Sequence, residues 1–351
     1  MDGGLPSTRR RLATNAMVFA VLPIGSAAVA RNGKAHMTVA ATAWKNLSPE
    51  ARAKAFALLR PNPDYSNWIR SASPADTEMI AFVRAATWPD QIRSTYQEDG
   101  SSPPHLPTGA QNIGHSDCPK HRYWHFKDVP FSTDGTMLED AEDSNALSQI
   151  RVFSAAIADS ATPDEVKSYD LAWLLHLAGD VHQPLHATSR FTSQSRHGHH
   201  GGNTVVLGQQ RGRPCPPRFN SLHAFWDDAI GNSDAPSSAL EMACLKPSSP
   251  GSHCLPNAST EALAVDDPGT QLPESFELAR QDAYKRPIGL GKGAYFDTRR
   301  YKTKAASTAE TQIAVAGATL VKLLNQYLES GVQNPISPPP FADVSTCPRI
   351  Q

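Results

Sequence analysis

This sequence is short of net charge, of cysteine and of long apolar runs. Its 33 Lys and Arg residues balance 34 Asp and Glu residues, and the net charge is −1. A chain without an overall basic field is not expected to bind duplexes by loose electrostatic attraction, although a metal site could still hold phosphates. None of the five cysteines belongs to a CxxC pair, which argues against zinc held by thiolates. Cys244 and Cys254, around a short Pro/Ser/Gly loop, are the favoured disulfide pair.

The organisation of the chain lacks three further signals. Beyond the N-terminus no apolar run approaches the ~18 residues of a membrane span, no repeat recurs at a fixed period, and strands do not alternate with helices. With 40% apolar residues, these absences predict a soluble all-α protein, a single compact multi-helix domain over residues 31–332 with metal sites between helices. A proline-rich tail over residues 333–351 is expected, and no stable protein partner is predicted.

The first 30 residues have the layout of a signal peptide. Arg9–Arg11 precede the apolar stretch Met17–Ile24, and Ala28–Ala30 form an A-x-A cleavage site. Export would permit disulfides. Cleavage there would give a secreted or periplasmic chain that begins at Arg31. The arginines also resemble a twin-arginine signal, and an ordinary signal is the open alternative.

Apolar spacing and capping residues predict that helices dominate the mature chain. Ser48 before Pro49 is typical of a helix start. The segment Thr162–Glu165 predicts a capping box, and Pro89 is expected to end a helix. The predicted helices cover His36–Trp44, Pro49–Leu59, Pro74–Trp88, Asn145–Ala158, the segment from Thr162 through Asp180, Asn220–Asp227, Glu274–Tyr284 and Ala305–Leu328. Elsewhere we expect a long loop over Tyr96–Lys120, a small β-hairpin strand at Thr204–Leu207 and an irregular insertion over Asp234–Pro273.

The stretch Leu174–His186 contains the densest group of candidate metal ligands. His176 and Asp180 are four residues apart, so on a helix they share one face. Pro184 cannot continue that helix comfortably, and His186 can therefore fold back towards the same pocket. A single histidine on an apolar helix is more often a core residue than a ligand. Three histidines and an aspartate at this spacing favour a metal site.

A second pair, His223 and Asp227, repeats the His-x-x-x-Asp spacing. Further candidate ligands are His36, Asp90 after Trp88-Pro89, and His125. These donors exceed the four or so that one tetrahedral zinc can use. The sequence therefore predicts a cluster of metal ions.

With these motifs in view, the sequence resembles the S1/P1-type zinc-dependent nucleases, which share a fold with zinc-dependent bacterial phospholipases C. The resemblance covers nearly all of the mature chain. Its most specific parts are the segment His176–His186 and the pair His223 and Asp227. The other matching segments, in chain order, are Gly33–His36, Trp88–Arg93, Trp124–Phe126, Gly201–Asn203, Asn220–Asp227, Glu274–Ala279 and Ile313–Gly317.

The resemblance implies three zinc ions in one cleft. The first would be held by Asp90, His125 and His176, with Asp180 as a bridge to the second. The second would also take His36 and the main-chain amine and carbonyl of the first mature residue, here Arg31 where family members usually have Trp. Ala35 likewise replaces the family's usual Gly. The third zinc would be held by His186, His223 and Asp227.

The resemblance also implies a mechanism and a substrate. A metal-bound hydroxide would attack the phosphodiester, and the catalytic residues would be Asp90, Asp180 and Arg93, whose guanidinium would stabilise the transition state. Phe126 would stack on a base, Asp128 would hydrogen-bond it, and Asn203 would line the site. Stacking requires an unpaired base, so the expected substrates are single-stranded DNA or RNA and 3′-nucleotides, with 5′-phosphorylated products.

Several of these residues also have structural interpretations that involve no function. The histidines of the 197–200 tract are expected to lie in a solvated loop, and Arg93 could simply pair with Asp90. The four tryptophans at helical spacing, Trp88, Trp124, Trp173 and Trp226, are expected in the core, and His115, His121 and His182 are not expected to be ligands. At the level of function, the alternatives are a phospholipase C, against which Asp227 and Arg93 argue, and an exported zinc-binding protein without catalysis.

Overall fold

The computed structural model describes residue 1 and residues 33–92, 111–115, 119–139, 145–208, 221–249, 251–258, 268–295 and 298–329. Helices dominate, as the sequence predicts. They are α1 (Gly33–Asn46), α2 (Pro49–Leu59), α3 (Tyr65–Ile69), α4 (Thr77–Ala85), α5 (Trp88–Gln91), α6 (Ala146–Ala158), α7 (Asp164–Asp180), α8 (Leu222–Asp227), α9 (Pro236–Met242), α10 (Leu272–Leu278) and α11 (Arg299–Leu328). The described residues also form short 3₁₀ turns at Pro74–Asp76, Arg122–His125, Pro184–Ala187 and Pro268–Thr270, and a π-helical turn at Ala279–Ala283.

Side-chain caps explain several of the helix starts. The Ser48 hydroxyl accepts a hydrogen bond from the Ala51 amide, and Asn145 forms a capping box with Ser148, so both predicted starts are confirmed. The predicted capping box at Thr162 is wrong. The Thr162 hydroxyl donates instead to Asp159 at 3.0 Å, and α7 begins after Pro163 without a side-chain cap.

Helix α7 forms the centre of the fold. From Ser168 onward it is buried on nearly every side, because α1, α2, α4, α5, α6 and α11 all pack against it. A helix that is apolar all round belongs in a core, and this one carries His176 and Asp180 into the interior. The four tryptophans expected in the core are there, each at most 2% exposed.

Other helix and strand predictions require correction. Pro89 does not end a helix but lies in the first turn of α5, where a missing amide hydrogen costs nothing. Thr204–Leu207 is not a hairpin strand, since Val206 and Leu207 form only isolated bridges to Ser221 and Tyr295. Within the described ranges the sheet is instead a parallel pair, β1 (Val129–Ser132) and β2 (Thr188–Phe191), so its partners come from distant parts of the chain.

The insertion predicted over Asp234–Pro273 is more ordered than expected. Helix α9 lies within it and packs on α1 and α4 through buried Ala239 and Leu240. The favoured cysteine pair is confirmed by a disulfide between Cys244 and Cys254, whose Cα atoms are 5.6 Å apart, a usual separation for such a bond.

The N- and C-terminal predictions fall outside the described residues. These are the signal peptide over residues 1–30, Arg31 as the first mature residue and the tail over residues 333–351. Most of the predicted loop over Tyr96–Lys120 lies outside them as well. Among the helices that the structure does describe, none is both long and apolar enough to cross a membrane.

Candidate metal centre

The carboxylate of Asp180, the last residue of α7, lies among four imidazole rings. Its Oδ1 atom is 3.5 Å from His36 Nε2 and 3.4 Å from His186 Nδ1. Its Oδ2 atom is 2.9 Å from His125 Nδ1 and 3.1 Å from His176 Nε2. Both oxygens therefore face ring nitrogens, in a site where Asp180 itself is 2% exposed.

The candidate ligands fall into three groups, and within each group the donor atoms lie within 4.8 Å of one another. These are His36, His176 and Asp180; Asp90, His125 and His176; and His186, His223 and Asp227. Every side chain that the sequence suggested as a metal ligand is in one of these groups. Two of the groups share His176, and Asp180 also contacts His186 of the third, so the groups adjoin.

His36 reaches this site because α1 packs against α7. His36 lies on α1, and its ring stacks on that of His176 with centroids 3.8 Å apart. The ring fits there because residue 179 is glycine: a Cβ atom at Gly179 would lie 2.8 Å from His36 Nδ1. That nitrogen is buried without a hydrogen-bond partner among the described residues.

Backbone carbonyls orient three of the other imidazoles. His176 Nδ1 donates to the Ala86 carbonyl at 2.8 Å, which directs its Nε2 towards Asp180. His186 Nδ1 donates to the His125 carbonyl at 2.6 Å, and His223 Nδ1 donates to the Gly201 carbonyl at 2.8 Å. A hydrogen bond at one ring nitrogen fixes the tautomer and leaves the other nitrogen for a metal ion.

The glycine-rich segment Gly201–Asn203 is shaped by close contact with the site. Gly201 has φ of +59°, and a Cβ atom there would lie 2.6 Å from the Leu185 carbonyl oxygen and 3.2 Å from His223 Nδ1. Only glycine tolerates that approach without displacing its neighbours. The segment thus holds the His223 ring by its main chain, whereas the Asn203 side chain is exposed and donates to the His200 carbonyl at 2.9 Å.

Sequence reasoning missed Gln183. Its side-chain nitrogen Nε2 donates to Asp227 Oδ1 at 2.8 Å, and its side-chain oxygen Oε1 accepts from the Leu185 backbone amide. It therefore ties the turn that carries His186 to the helix that carries Asp227. Its position directly before Pro184 could have indicated this role, since a residue there can cap the turn that follows.

Burial and mutual contacts set the charges of the site. Desolvation, followed by the nearby His176, lowers the pKa of His36 to about 4, so this imidazole is neutral near pH 7. Burial opposes the charge on His186, but Asp180 and Asp227 outweigh it and raise the pKa to about 9. For Asp180 itself, burial favours the neutral acid, yet His176 and His186 together hold the pKa well below its usual range.

The proposed substrate-binding residues are arranged beside this centre. Phe126 is half-buried and packs against the main core. Asp128 is half-buried too, and desolvation raises its pKa to about 6 against the opposing charge of His186. Arg31 and Arg93 lie outside the described residues.

The histidines of the 197–200 tract differ from the expectation in one respect. His197 is exposed and pairs with Glu139 at 3.1 Å, and His200 is exposed as well. His199, however, is fully buried and accepts a hydrogen bond from Arg190 at 3.4 Å. It is therefore a core residue, and the solvated-loop prediction is wrong for this position.

The donor set fits a divalent metal ion. Imidazole nitrogens and carboxylate oxygens are the ligands that borderline metals such as zinc prefer. The neutral His36, whose Nε2 lies 3.5 Å from Asp180 Oδ1, and the ionised Asp180 are both in the protonation states that ligation requires. Helical architecture with clustered metal-ligand side chains thus defines this protein as a candidate metal-dependent enzyme.

Comparison with known proteins defines the family. Residues 32–329 match the S1/P1 Nuclease family. The chain is also 25% identical over 245 residues to Endonuclease 3 of Arabidopsis thaliana, an alignment that covers 66% of this chain and 73% of the relative. This protein belongs to the S1/P1 nuclease family. It is a nuclease, a hydrolase that acts on nucleic acid, and its family depends on metal ions.

Proposed function

We propose that this nuclease hydrolyses phosphodiester bonds of single-stranded DNA and RNA, leaves 5′-phosphorylated products and also removes phosphate from 3′-nucleotides. The observation that carries the proposal is the position of Asp180 among ligand groups that adjoin one another. One carboxylate between neighbouring cation sites suits a reaction that needs positive charge on both sides of a phosphate.

We further propose zinc as the metal, with three ions. Asp90, His125 and His176 would hold the first, Asp180 would bridge it to the second beside His36, and His186, His223 and Asp227 would hold the third. The main-chain amine and carbonyl of Arg31 would complete the second site after signal removal. When bound, the metal would activate water near neutral pH and offset the charge that develops on the phosphate.

The chain's own residues would position the reaction. Asp180 fixes the four imidazoles around it, and Asp90 closes the group that contains His125 and His176. Arg93 would place a permanently charged guanidinium against the phosphate oxygens. These roles make Asp90, Asp180 and Arg93 the catalytic residues of the proposal.

Base recognition would come from Phe126, Asp128 and Asn203. The half-buried ring of Phe126 directly follows His125, which supports stacking of a base next to the metal centre. The pKa of Asp128, raised to about 6 by burial, leaves its carboxylate mostly ionised at neutral pH and able to accept a hydrogen bond from an amino or imino group. A base held this way must be unpaired, which is the basis for single-strand preference.

We also propose that the protein is exported. The arginine-rich start, the apolar stretch and the A-x-A site support cleavage after Ala30. The disulfide between Cys244 and Cys254 fits an oxidising compartment. N-terminal sequencing of the secreted protein would test this, because a start at any residue other than Arg31 would remove the proposed main-chain ligand.

Turnover with metal counting tests the proposed function. Mature protein would be assayed side by side on single-stranded DNA, single-stranded RNA, a 3′-mononucleotide and duplex DNA, with bound zinc measured on the same samples. We expect cleavage of both single strands, slower cleavage of the duplex and about three zinc ions per chain. Equal rates on duplex and single strands would contradict the base-stacking role, and fewer than two bound ions would contradict the bridging role of Asp180.

A further inference from the structure

The segment from Lys285 to Lys304 carries a concentration of positive charge that the metal centre does not use. Seven of the 33 Lys and Arg residues of this chain lie within these 20 positions, which contain a single acidic residue, Asp297. The cations are Lys285, Arg286, Lys292, Arg299, Arg300, Lys302 and Lys304, and all are exposed. We call them the basic surface. In a chain of net charge −1, this local excess must be balanced elsewhere on the molecule.

Ion pairing distinguishes the cations at the start of α11. Lys304 contacts Asp282 at 3.2 Å. Arg299 and Arg300 form no ion pair with a carboxylate of the described residues, and together with Thr303, Lys304 and Ser307 they line a groove on the surface. Exposed guanidinium groups that no described carboxylate pairs with are available to an anion from solution.

The cations at the start of α11 also run against the preference of helices. The amide groups of the first turn carry partial positive charge and favour acidic side chains. Helix α11 has no acidic residue in its first turn and begins instead with Arg299 and Arg300, followed by Lys302. This departure from the usual preference for acidic residues in the first turn points to a binding role. A bound anion would neutralise both the arginines and the partial positive charge of the helix end.

The start of α11 is anchored to the helix that carries two of the candidate metal ligands. Tyr301, between Arg300 and Lys302, accepts a hydrogen bond from Trp226 Nε1 at 2.9 Å, and Trp226 belongs to α8 with His223 and Asp227. Trp226 and Tyr301 share a small apolar cluster with Leu185 and Leu222, the residues directly before His186 and His223.

Helix α11 connects the two regions directly. Ala309 and Ile313 of α11 line the same cleft as His36 and Asp180. Arg300 and Lys304 lie towards the opposite face of α11. Lys302 precedes Ala309 and Ile313 by seven and eleven residues and so lies on their face of the helix, about 10 Å from Ala309 along the axis. That distance is about one Debye length at physiological salt.

We propose that the basic surface binds the phosphate backbone of the nucleic acid substrate outside the cleft and so favours long strands over short ones. The inference rests on the proposed function. It assigns to the start of α11 a task distinct from catalysis: contacts to phosphate hold the strand without reading its sequence. A short substrate that fills only the cleft gains nothing from it.

The test compares Arg299→Gln/Arg300→Gln with the matched variant Arg60→Gln/Arg70→Gln. Each removes two exposed arginines and introduces a good helix former. For the first variant we expect kcat/KM on a single-stranded DNA of about 20 nucleotides to fall roughly tenfold at low salt, and the slope of log(kcat/KM) against log[salt] to flatten by about 1.4. Turnover of a dinucleotide should stay within about twofold of the unaltered enzyme, and the control variant should match that enzyme on both substrates.

Other results of this experiment would indicate a structural role for the arginines, a membrane-binding role, or failure of the proposed function. Equal losses on the long strand and the dinucleotide would assign Arg299 and Arg300 a structural role and overturn the proposal, as would an equal loss in the control. Unchanged binding of DNA with lost binding to phosphatidylglycerol vesicles would assign the surface to a membrane. If the unaltered protein cleaved neither DNA nor RNA, the proposed function would fail, yet fluorescence anisotropy with the same labelled strand would still decide whether Arg299 and Arg300 bind it.

Discussion

Asp180 and His186 meet across the end of helix α7, with Asp180 Oδ1 and His186 Nδ1 3.4 Å apart. The helix ends at Asp180, and the chain reverses through the turn Pro184–Ala187. His186 Nε2 is then 3.5 Å from Asp227 Oδ1. One histidine therefore contacts both the central carboxylate and the carboxylate of the second His-x-x-x-Asp pair, which couples the two motifs.

Replacing Asp180 by Asn should reduce turnover at least about 100-fold and lower the bound metal content, because the amide cannot neutralise two adjoining cations. The fold should persist in circular dichroism. The matched control is Asp170→Asn on the same helix. Asp170 is fully buried and belongs to none of the three ligand groups, and burial raises the pKa of its carboxyl group well above its usual range, so the uncharged Asn of the same shape should preserve activity. A fully active Asp180→Asn protein would refute the bridging role.

Gly179→Ala should weaken metal binding through His36. The added Cβ would lie 2.8 Å from His36 Nδ1, and the imidazole would have to move. Alanine favours a helix by about 1 kcal/mol over glycine, which offsets part of the ~1–3 kcal/mol of overpacking. Activity should therefore fall about tenfold or more while the Tm changes little. Gly293→Ala, where no atom lies within 4 Å of the new Cβ, provides the control, and equal activity of the two variants would contradict the role of Gly179.

Removal of the metal ions should destabilise the protein as well as inactivate it. A ligand present at ~1,000 times its Kd contributes about 4 kcal/mol to stability, which corresponds to a fall in Tm of about 5–15 °C for a chain of this size. Scanning calorimetry with and without a chelator measures this. Chelator saturated with zinc beforehand should have no effect, and a Tm that is unchanged after complete metal removal would argue against a structural contribution from the cluster.

His115 should make the protein less stable in acid. Desolvation lowers its pKa to about 4 from 6.5, since it packs edge-on against Trp88 and Tyr169. The folded protein thus binds fewer protons here than the unfolded chain. Its contribution to stability is complete above pH 6.5 and declines as the pH falls towards 4. In His115→Leu, the dependence of Tm on pH over this window should be shallower; an unaltered dependence would show that other groups control it.

The sequence predicted most where the controlling interactions are local. The caps at Ser48 and Asn145 act on amides two or three residues away, and both helix starts were predicted correctly. The pairs His176 with Asp180 and His223 with Asp227 follow from the helical period alone. The missed helix α9 shows the limit of this reasoning, because it begins at Pro236 without a side-chain cap and is stabilised by packing on α1.

By itself, the sequence determined which residues carry metal-ligand chemistry, which pairs share a helix face and which family the motifs resemble. Only the tertiary structure decided which of these side chains meet. His125 lies 55 residues from Asp180, His176 is oriented by a carbonyl 90 residues away, and the burial of His199 depends on Arg190 and Tyr284. Spacing along a helix is fixed by its period, whereas contacts between distant segments depend on how whole elements pack, and that packing is set by the core as a unit.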